Sequence, residues 1–145
     1  MVFRRRGLPA HLETSRAAFE ELLPGLERAK SALLSSVPGT RLPGRPLAET
    51  LLEFEEGLSE VRADMESWRA PELQDVWTRA SRGLDDAIEG AQRVRLAATH
   101  PGSFEGLIGL VGDLMAPLEA FDDVTERFRE LRRGRRSRSA TPPRP

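Results

Sequence analysis

The two histidines, His11 and His100, are the side chains best suited to bind a metal or transfer a proton at neutral pH. Metal sites in helical bundles use Glu-x-x-His pairs that face the core, and neither histidine has a glutamate at that spacing. In alternating antiparallel helices, His11 would begin the first helix and His100 would end the third, at opposite poles. We therefore expect two solvated residues at helix ends, and we predict no metal site and no cofactor.

No other group of side chains has the spacing of a catalytic site. The sequence has no cysteine, which excludes disulfides and thiolate ligands. The acidic runs at 53–60 and 121–124 fall mostly outside the apolar stripes of the helices, which predicts a solvated face and no buried pair of carboxylates. Because nothing places a nucleophile beside a base, we predict that the protein is not an enzyme.

The segment 106–117, GLIGLVGDLMAP, begins with a glycine at every third position. A phosphate-binding loop would need Gly-x-Gly-x-x-Gly after a strand, or a lysine that this segment lacks. On a helix, at about 100° per residue, its small residues instead form a band roughly 160° from the apolar stripe. This glycine-alanine band supplies our candidate residues for a partner interface, which are Gly106, Gly109, Gly112, Ala116 and Ala120.

Two interpretations of the glycine-alanine band remain open. A smooth ridge of small residues lets another backbone approach closely, as in tightly packed helix pairs. Alternatively, the glycines have no partner and only weaken the helix, by up to about 1 kcal/mol each relative to alanine. Glu105 and Asp113 share the band, so it is not purely apolar.

Arginines are concentrated at both ends of the sequence. Residues 1–6 contain three and residues 132–145 contain six, and neither segment contains an acid. Without these nine arginines, 13 of the 22 basic residues remain in 7–131 beside all 23 acids. The net charge of −1 therefore conceals an acidic body of about −10 between two basic ends.

The C-terminal tail, 133–145, has no apolar residue except Ala140 and cannot contribute to a core, so we predict that it is disordered. It either keeps the protein soluble or binds the phosphates of nucleic acid or an anionic membrane surface. Such binding would be indifferent to sequence and strongly salt-dependent. The candidate anion contacts at the two ends are Arg4, Arg5, Arg6, Arg132, Arg133, Arg135, Arg136 and Arg138.

Four stretches of apolar residues must position these groups. Three of them alternate spacings of four and three, and they run from Leu47 to Trp68, from Leu73 to Ala98 and from Phe104 to Phe128. A looser stripe repeats about every seven residues from Leu12 to Leu33. Because each stripe must be buried against other helices, we predict an all-α, antiparallel up-down-up-down four-helix bundle.

Prolines and polar residues set the predicted boundaries. Pro46 and Pro71 suit the first turn of a helix, and Thr99 or Ser103 can cap the last helix. Pro24 and Pro117 lie inside helices and predict kinks, or a split of the first helix at Pro24. We predict a basic arm at 1–8 and a bundle at 9–132, with helices at about 9–36, 46–69, 71–98 and 103–132.

Trp68 and Trp77 flank the turn between the second and third helices, so we expect them together at one pole. They either close the end of the core or stack against a ligand or partner. In this topology both termini reach the same pole, which predicts one combined basic patch.

The rest of the composition bears on location and function. One Lys against 21 Arg, with abundant Ala, Gly, Pro and Leu, is typical of a GC-rich bacterial genome. We see no signal peptide and no apolar stretch near the roughly 20 residues of a membrane span, and we expect a cytoplasmic protein.

We predict an interaction or scaffold protein that self-associates or docks a protein partner through an exposed helix face. The alternatives are a nucleic-acid-associated protein held by its Arg-rich tail and, more weakly, a bundle that binds a lipid or small apolar ligand.

Overall fold

The computed structural model describes residues 7–38, 45–97 and 102–140, with side chains as far as residue 134. Every regular element in these ranges is helical, which confirms the predicted all-α bundle. The α-helices are α1 (Ala10–Leu34), α2 (Leu47–Ala63), α3 (Gln74–Leu96), α4 (Phe104–Met115) and α5 (Ala120–Ala140). Short 3-10 turns lie at Met65–Trp68, Pro71–Leu73 and Ala116–Glu119. Together, α4, the turn after it and α5 form the fourth helix of the bundle.

Contacts between the helix ends establish the antiparallel topology. His11 at the start of α1 lies 2.7 Å from Glu72, just before α3. Arg127 in α5 binds Asp75 at the start of α3, at 2.8 Å through each of two nitrogens. The starts of α1 and α3 therefore share one end of the bundle with the later part of α5, and we call this end the terminal pole.

Local sequence signals set the helix starts. Ser103 caps α4 as predicted, because its Oγ accepts a hydrogen bond from the Gly106 N–H at 2.9 Å. Pro46 directly precedes α2, and its carbonyl accepts the first hydrogen bonds of that helix. Pro71 begins the 3-10 turn that leads into α3, at a position where a missing N–H has little cost.

The two internal prolines have different effects. α1 is continuous through Pro24, so the predicted split of the first helix does not occur. Pro117 lies in the 3-10 turn that separates α4 from α5, which confirms an interruption there. Proline has no N–H and its ring crowds the preceding turn of an α-helix. The tighter 3-10 turn accommodates both constraints.

The predicted stripes form the core, and its largest fully buried side chains include Trp68, Phe19 and Phe54. The Phe19 ring lies 5.0 Å from the Trp68 ring in an edge-to-face contact. Its centroid is also 6.2 Å from that of Phe121 and 5.8 Å from that of Phe128. Aromatic pairs of this kind contribute about 0.5–1.5 kcal/mol beyond their burial, so this cluster joins α1 to α5 and to the turn after α2.

The fourth helix departs from its predicted stripe at two positions. Phe104 is 53% exposed, because it lies in the first turn of α4 at the end of the bundle. Val124 is fully buried, whereas the predicted Thr125 is half-buried. The 3-10 turn explains the second difference, since three residues per turn rotate α5 relative to a continuous α-helix.

α5 extends eight residues beyond the predicted boundary at 132, as far as Ala140. Arginine is a good helix former, and the first proline after residue 132 is Pro142. Residues 141–145 of the predicted tail lie outside the described part of the chain, as does most of the basic arm, 1–6. In the described ranges, no helix is both long enough and apolar enough to span a membrane.

Candidate interaction surfaces

α4 is buried along a narrow line. Of its 12 residues, Val111 and Leu114 are buried, while Leu107, Leu110 and Met115 are half-buried against the core. The remaining residues are exposed. Most of the circumference of an apolar helix therefore faces solvent.

Large apolar side chains are exposed at the pole opposite the terminal pole. On α4 these are Phe104, at 53%, and Ile108, at 47%. Leu96 at the end of α3 is 76% exposed, and Leu34 at the end of α1 is also exposed. Isolated exposed leucines are common in soluble proteins, but several at one end of a bundle form a candidate binding surface.

The structure places most of the glycine-alanine band where it was predicted. Gly106, Gly109, Gly112 and Ala116 are exposed. A Cβ added at Gly109 or Gly112 would have no described atom within 4 Å. The predicted exposure of Ala120 is wrong, because this residue follows the Pro117 interruption and packs toward α3, half-buried.

The exposed side of α4 is acidic. Residues 96–126 contain six acids and neither lysine nor arginine. Two of those acids, Glu105 and Asp113, are on α4, exposed and without an ion pair to any described residue. We define the α4 face as the exposed surface formed by Phe104, Glu105, Gly106, Ile108, Gly109, Gly112 and Asp113.

The basic end of the chain is partly neutralised. Arg132 binds Glu13 of α1 at 3.3 Å, and Arg133 binds Glu126, on the same face of α5 and nearer its start, at 3.1 Å. The α5 backbone carries Arg135, Arg136 and Arg138 on the same helix. Their side chains, and the whole of Arg4, Arg5 and Arg6, lie outside the described residues, so the combined basic patch stays a prediction.

His11 is an exposed residue at a helix end, as predicted. Its Nε2 lies 2.7 Å from the Glu72 carboxylate. The backbone N–H of Glu72, and then His11, hold the pKa of that carboxyl below its usual range. No cluster of three or more histidine, aspartate or glutamate side chains in the described ranges could hold a metal. His100 lies outside those ranges.

One acid of the predicted solvated face is buried. The Glu55 side chain is 7% exposed and accepts two hydrogen bonds from Arg95 of α3, at 2.6 and 3.1 Å. Both residues directly follow stripe positions, Phe54 and Val94, and that position beside the stripe is the only sequence signal that Glu55 is buried and Arg95 half-buried. Since the guanidinium satisfies the carboxylate, the pair joins α2 to α3 and offers no reactive group.

Trp68 and Trp77 both lie near the terminal pole, and Trp68 supports the interpretation that they close the core. Trp68 has no exposed surface. Trp77 is half-buried, donates its Nε1–H to the Met65 carbonyl at 2.8 Å and stacks under the Arg69 guanidinium at 4.3 Å. The Arg69 guanidinium therefore occupies one face of the Trp77 ring.

Comparisons with protein-family models, with curated proteins and with solved structures found no match to this chain.

Proposed function

We propose that this protein is a non-enzymatic interaction protein whose α4 face docks a basic amphipathic helix of a protein partner. The observation that carries the proposal is the exposure of about half of Phe104 and of Ile108 on an apolar helix. Burying these side chains against a partner would stabilise a complex by roughly 25 cal/mol for each Å² of apolar surface removed from water.

The glycines support a helical occupant. A partner backbone can approach closely at Gly109 and Gly112, where nothing described lies within 4 Å of an added Cβ. Each glycine costs the isolated helix up to about 1 kcal/mol relative to alanine. Close packing of a second helix would offset that cost.

The charges favour a basic partner over a second copy of this chain. Antiparallel α4 helices crossing at Gly109 would place Glu105 of one copy beside Asp113 of the other, in two like-charge pairs that disfavour this contact. A helix with arginine or lysine at those places would instead form opposite-charge pairs.

Synthetic helices test the proposal directly. Two amphipathic peptides share one pattern of leucines, one with arginine and one with glutamate at the polar positions, and fluorescence anisotropy measures their binding to the full chain. We expect the arginine peptide alone to bind, and Gly109→Leu to weaken it at least about tenfold by filling the approach site. Gly134→Leu, at an exposed glycine of α5 with similarly open space, is the matched control and should bind normally.

Three outcomes would contradict the proposal. Equal binding of the two peptides would show that the partner need not be basic. Equal effects of Gly109→Leu and Gly134→Leu on binding would show that the peptide does not dock on the α4 face. A dimer mass by light scattering at both low and high salt, lost in Gly109→Leu, would make a second copy the occupant.

The α5 backbone favours a second candidate, non-specific binding to nucleic acid. Helical structure through Ala140 arranges Arg135, Arg136 and Arg138 on the same helix as Arg132, and no acid follows Glu130. This candidate predicts RNA or DNA retention that disappears at a few hundred millimolar salt. Replacing Arg135, Arg136 and Arg138 with glutamine should abolish this retention, whereas Gly109→Leu should preserve it.

A further inference from the structure

A groove of about 310 Å³ lies between α1 and α5, toward the terminal pole. Its apolar lining comes from Phe19 and Leu23 of α1 and from Phe128 of α5. Phe19 also contacts the buried Trp68 ring, so the lining is continuous with the aromatic cluster of the core. This volume is at the lower end of the range for small-molecule sites.

The rim of the groove is predominantly basic. Its charged residues are Arg16, Arg129, Arg132 and Glu20. Arg16 is paired with two acids, Glu13 at 3.1 Å and Glu20 at 2.6 Å. The acids that bind Arg129 and Arg132 are Glu126 and Glu13, and neither of these lines the groove.

Arg129 and Arg132 retain unused donors. Arg132 donates one Nη2 hydrogen bond to Glu13 at 3.3 Å, and its Nε is shielded from solvent with no acceptor among the described residues. Arg129 donates through Nη1 to Glu126 at 3.4 Å. A guanidinium has five N–H donors in a planar fork that matches a carboxylate. Because the Arg132 Nε is shielded, an incoming anion would accept hydrogen bonds from the remaining Nη donors of Arg129 and Arg132 at the rim of the groove.

We propose that this groove binds a monomeric anionic amphiphile, a carboxylate on a medium-length acyl chain. The acyl chain lies against Phe19, Leu23 and Phe128, and the carboxylate accepts hydrogen bonds from Arg129 and Arg132. Because the α4 face is at the other side of Pro117 along the fourth helix, this site is independent of partner docking.

Trp68 provides the readout, since its ring lies 5.0 Å from that of Phe19 behind the groove. In a Trp77→Phe background of the full chain, Trp68 emission is titrated with decanoate, decanol and decyltrimethylammonium, all below micelle-forming concentrations. We expect saturable binding of decanoate, at least about tenfold tighter than that of decanol, because charge-assisted hydrogen bonds to two guanidinium groups are specific to the anion. Equal affinity for decanoate and decanol, or no saturable change, would overturn the proposal.

Single-residue variants locate the site. Arg132→Gln should weaken the binding of decanoate about tenfold and leave the affinity for decanol unchanged. Arg133→Gln is the matched control, because the neighbouring Arg133 does not line the groove. If a changed circular dichroism spectrum shows that Arg132→Gln disturbs the fold, Arg129→Gln is used instead. The same tenfold loss of decanoate affinity is expected for it. Equal decanoate affinity in the rim variant and in Arg133→Gln would contradict the assignment.

Vesicles distinguish a free carboxylate from a lipid surface. Phosphatidylglycerol vesicles present anionic headgroups but hold their acyl chains in the bilayer. A Trp68 response to monomeric decanoate and none to vesicles supports the groove. A response to vesicles alone would show that the arginines bind a membrane surface and that the groove is not a ligand site.

Discussion

Gly83 on α3 and Gly109 on α4 are both glycines inside helices, but their surroundings are opposite. A Cβ on Gly83 would overlap the Pro117 carbonyl oxygen and lie 3.1 Å from its carbonyl carbon, whereas a Cβ on Gly109 would meet nothing described within 4 Å. Gly83 lets α3 contact the backbone of the fourth helix directly. Gly109 creates an equally close approach site on the outer side, where the described chain supplies no neighbour.

This contrast separates two uses of small residues. On α3, Ala80, Ala87 and Ala91 are buried with Gly83, which makes α3 a thin helix that its neighbours approach closely. On α4, Gly109 and Gly112 are exposed, and a Cβ at either would meet no described atom within 4 Å. The contact side of the fourth helix therefore specifies this fold, while the outer side remains available for a partner.

The largest expected effect is at the contact side. Gly83→Ala should lower the free energy of unfolding by about 2 kcal/mol, because overpacking against backbone atoms typically costs 1–3 kcal/mol and exceeds the helix propensity gained. Urea denaturation followed by circular dichroism measures the change. An unchanged or higher midpoint would show that α3 and the Pro117 turn separate without cost, and the contrast with Gly109 would disappear.

A second contact glycine should show a smaller loss. A Cβ on Gly57 of α2 would lie 2.9 Å from the Ala29 Cβ of α1, so Gly57→Ala should cost about 1 kcal/mol. Here the obstacle is a side chain that can be removed. Ala29→Gly in the same chain should recover part of the loss, and a double-mutant cycle measures the coupling between the two positions. Strict additivity would mean that these residues do not limit the approach of α1 and α2.

The open glycine should respond with the opposite sign. Gly109→Ala should raise the free energy of unfolding by about 0.5–1 kcal/mol, since alanine is the better helix former and no described atom obstructs it. The same urea titration applies, with Gly134→Ala as a control at another open helical position. A loss of stability in Gly109→Ala alone would indicate that α4 is packed more tightly than its exposure implies.

Regular periodicity made most of the architecture predictable. The burial of Leu51, Phe54 and Leu58, and the exposure of Gly109 and Gly112, follow from angular position on a continuous helix. After Pro117 the predicted stripe positions Leu118, Phe121 and Phe128 are still buried, but the 3-10 turn shifts the positions of Ala120 and Val124. Ala120 and Val124 therefore lie closer to the core than a continuous helix would place them.

Features that depend on distances between helices were not predictable. Glu55 lies beside its stripe, and its burial depends on how closely α3 approaches α2 there. The groove between α1 and α5 combines Phe19 and Phe128, more than a hundred residues apart, and no local pattern relates their positions. The groove has no signal within a single helix, and the ion pair has only the positions of Glu55 and Arg95 beside their stripes.

The smallest expected effect is on the pH dependence of stability. It compares Asp75 of α3, which contacts the fourth helix, with Asp113 on the exposed α4 face. Arg127 donates two hydrogen bonds to Asp75, each at 2.8 Å, and lowers the pKa of Asp75 from 3.8 to about 2. Because the folded-state pKa is the lower one, the stabilisation by this pair is present above pH 4 and is lost as the pH falls toward 2. Asp75→Asn should flatten that part of the stability curve, measured as urea midpoints between pH 2 and 7.

Asp113 on the α4 face is the matched control, because it is exposed and forms no ion pair with a described residue. Asp113→Asn should leave the fall of the urea midpoint at acidic pH the same as in the parent chain. If Asp113→Asn flattened the curve as much as Asp75→Asn, the α4 face would hold an ion pair with a residue outside the described ranges, and the acidic surface offered to a partner would be satisfied within the chain. If only Asp75→Asn acts, the contact side of the fourth helix is the side that ion pairs stabilise, and the acids of the α4 face remain available for a basic helix.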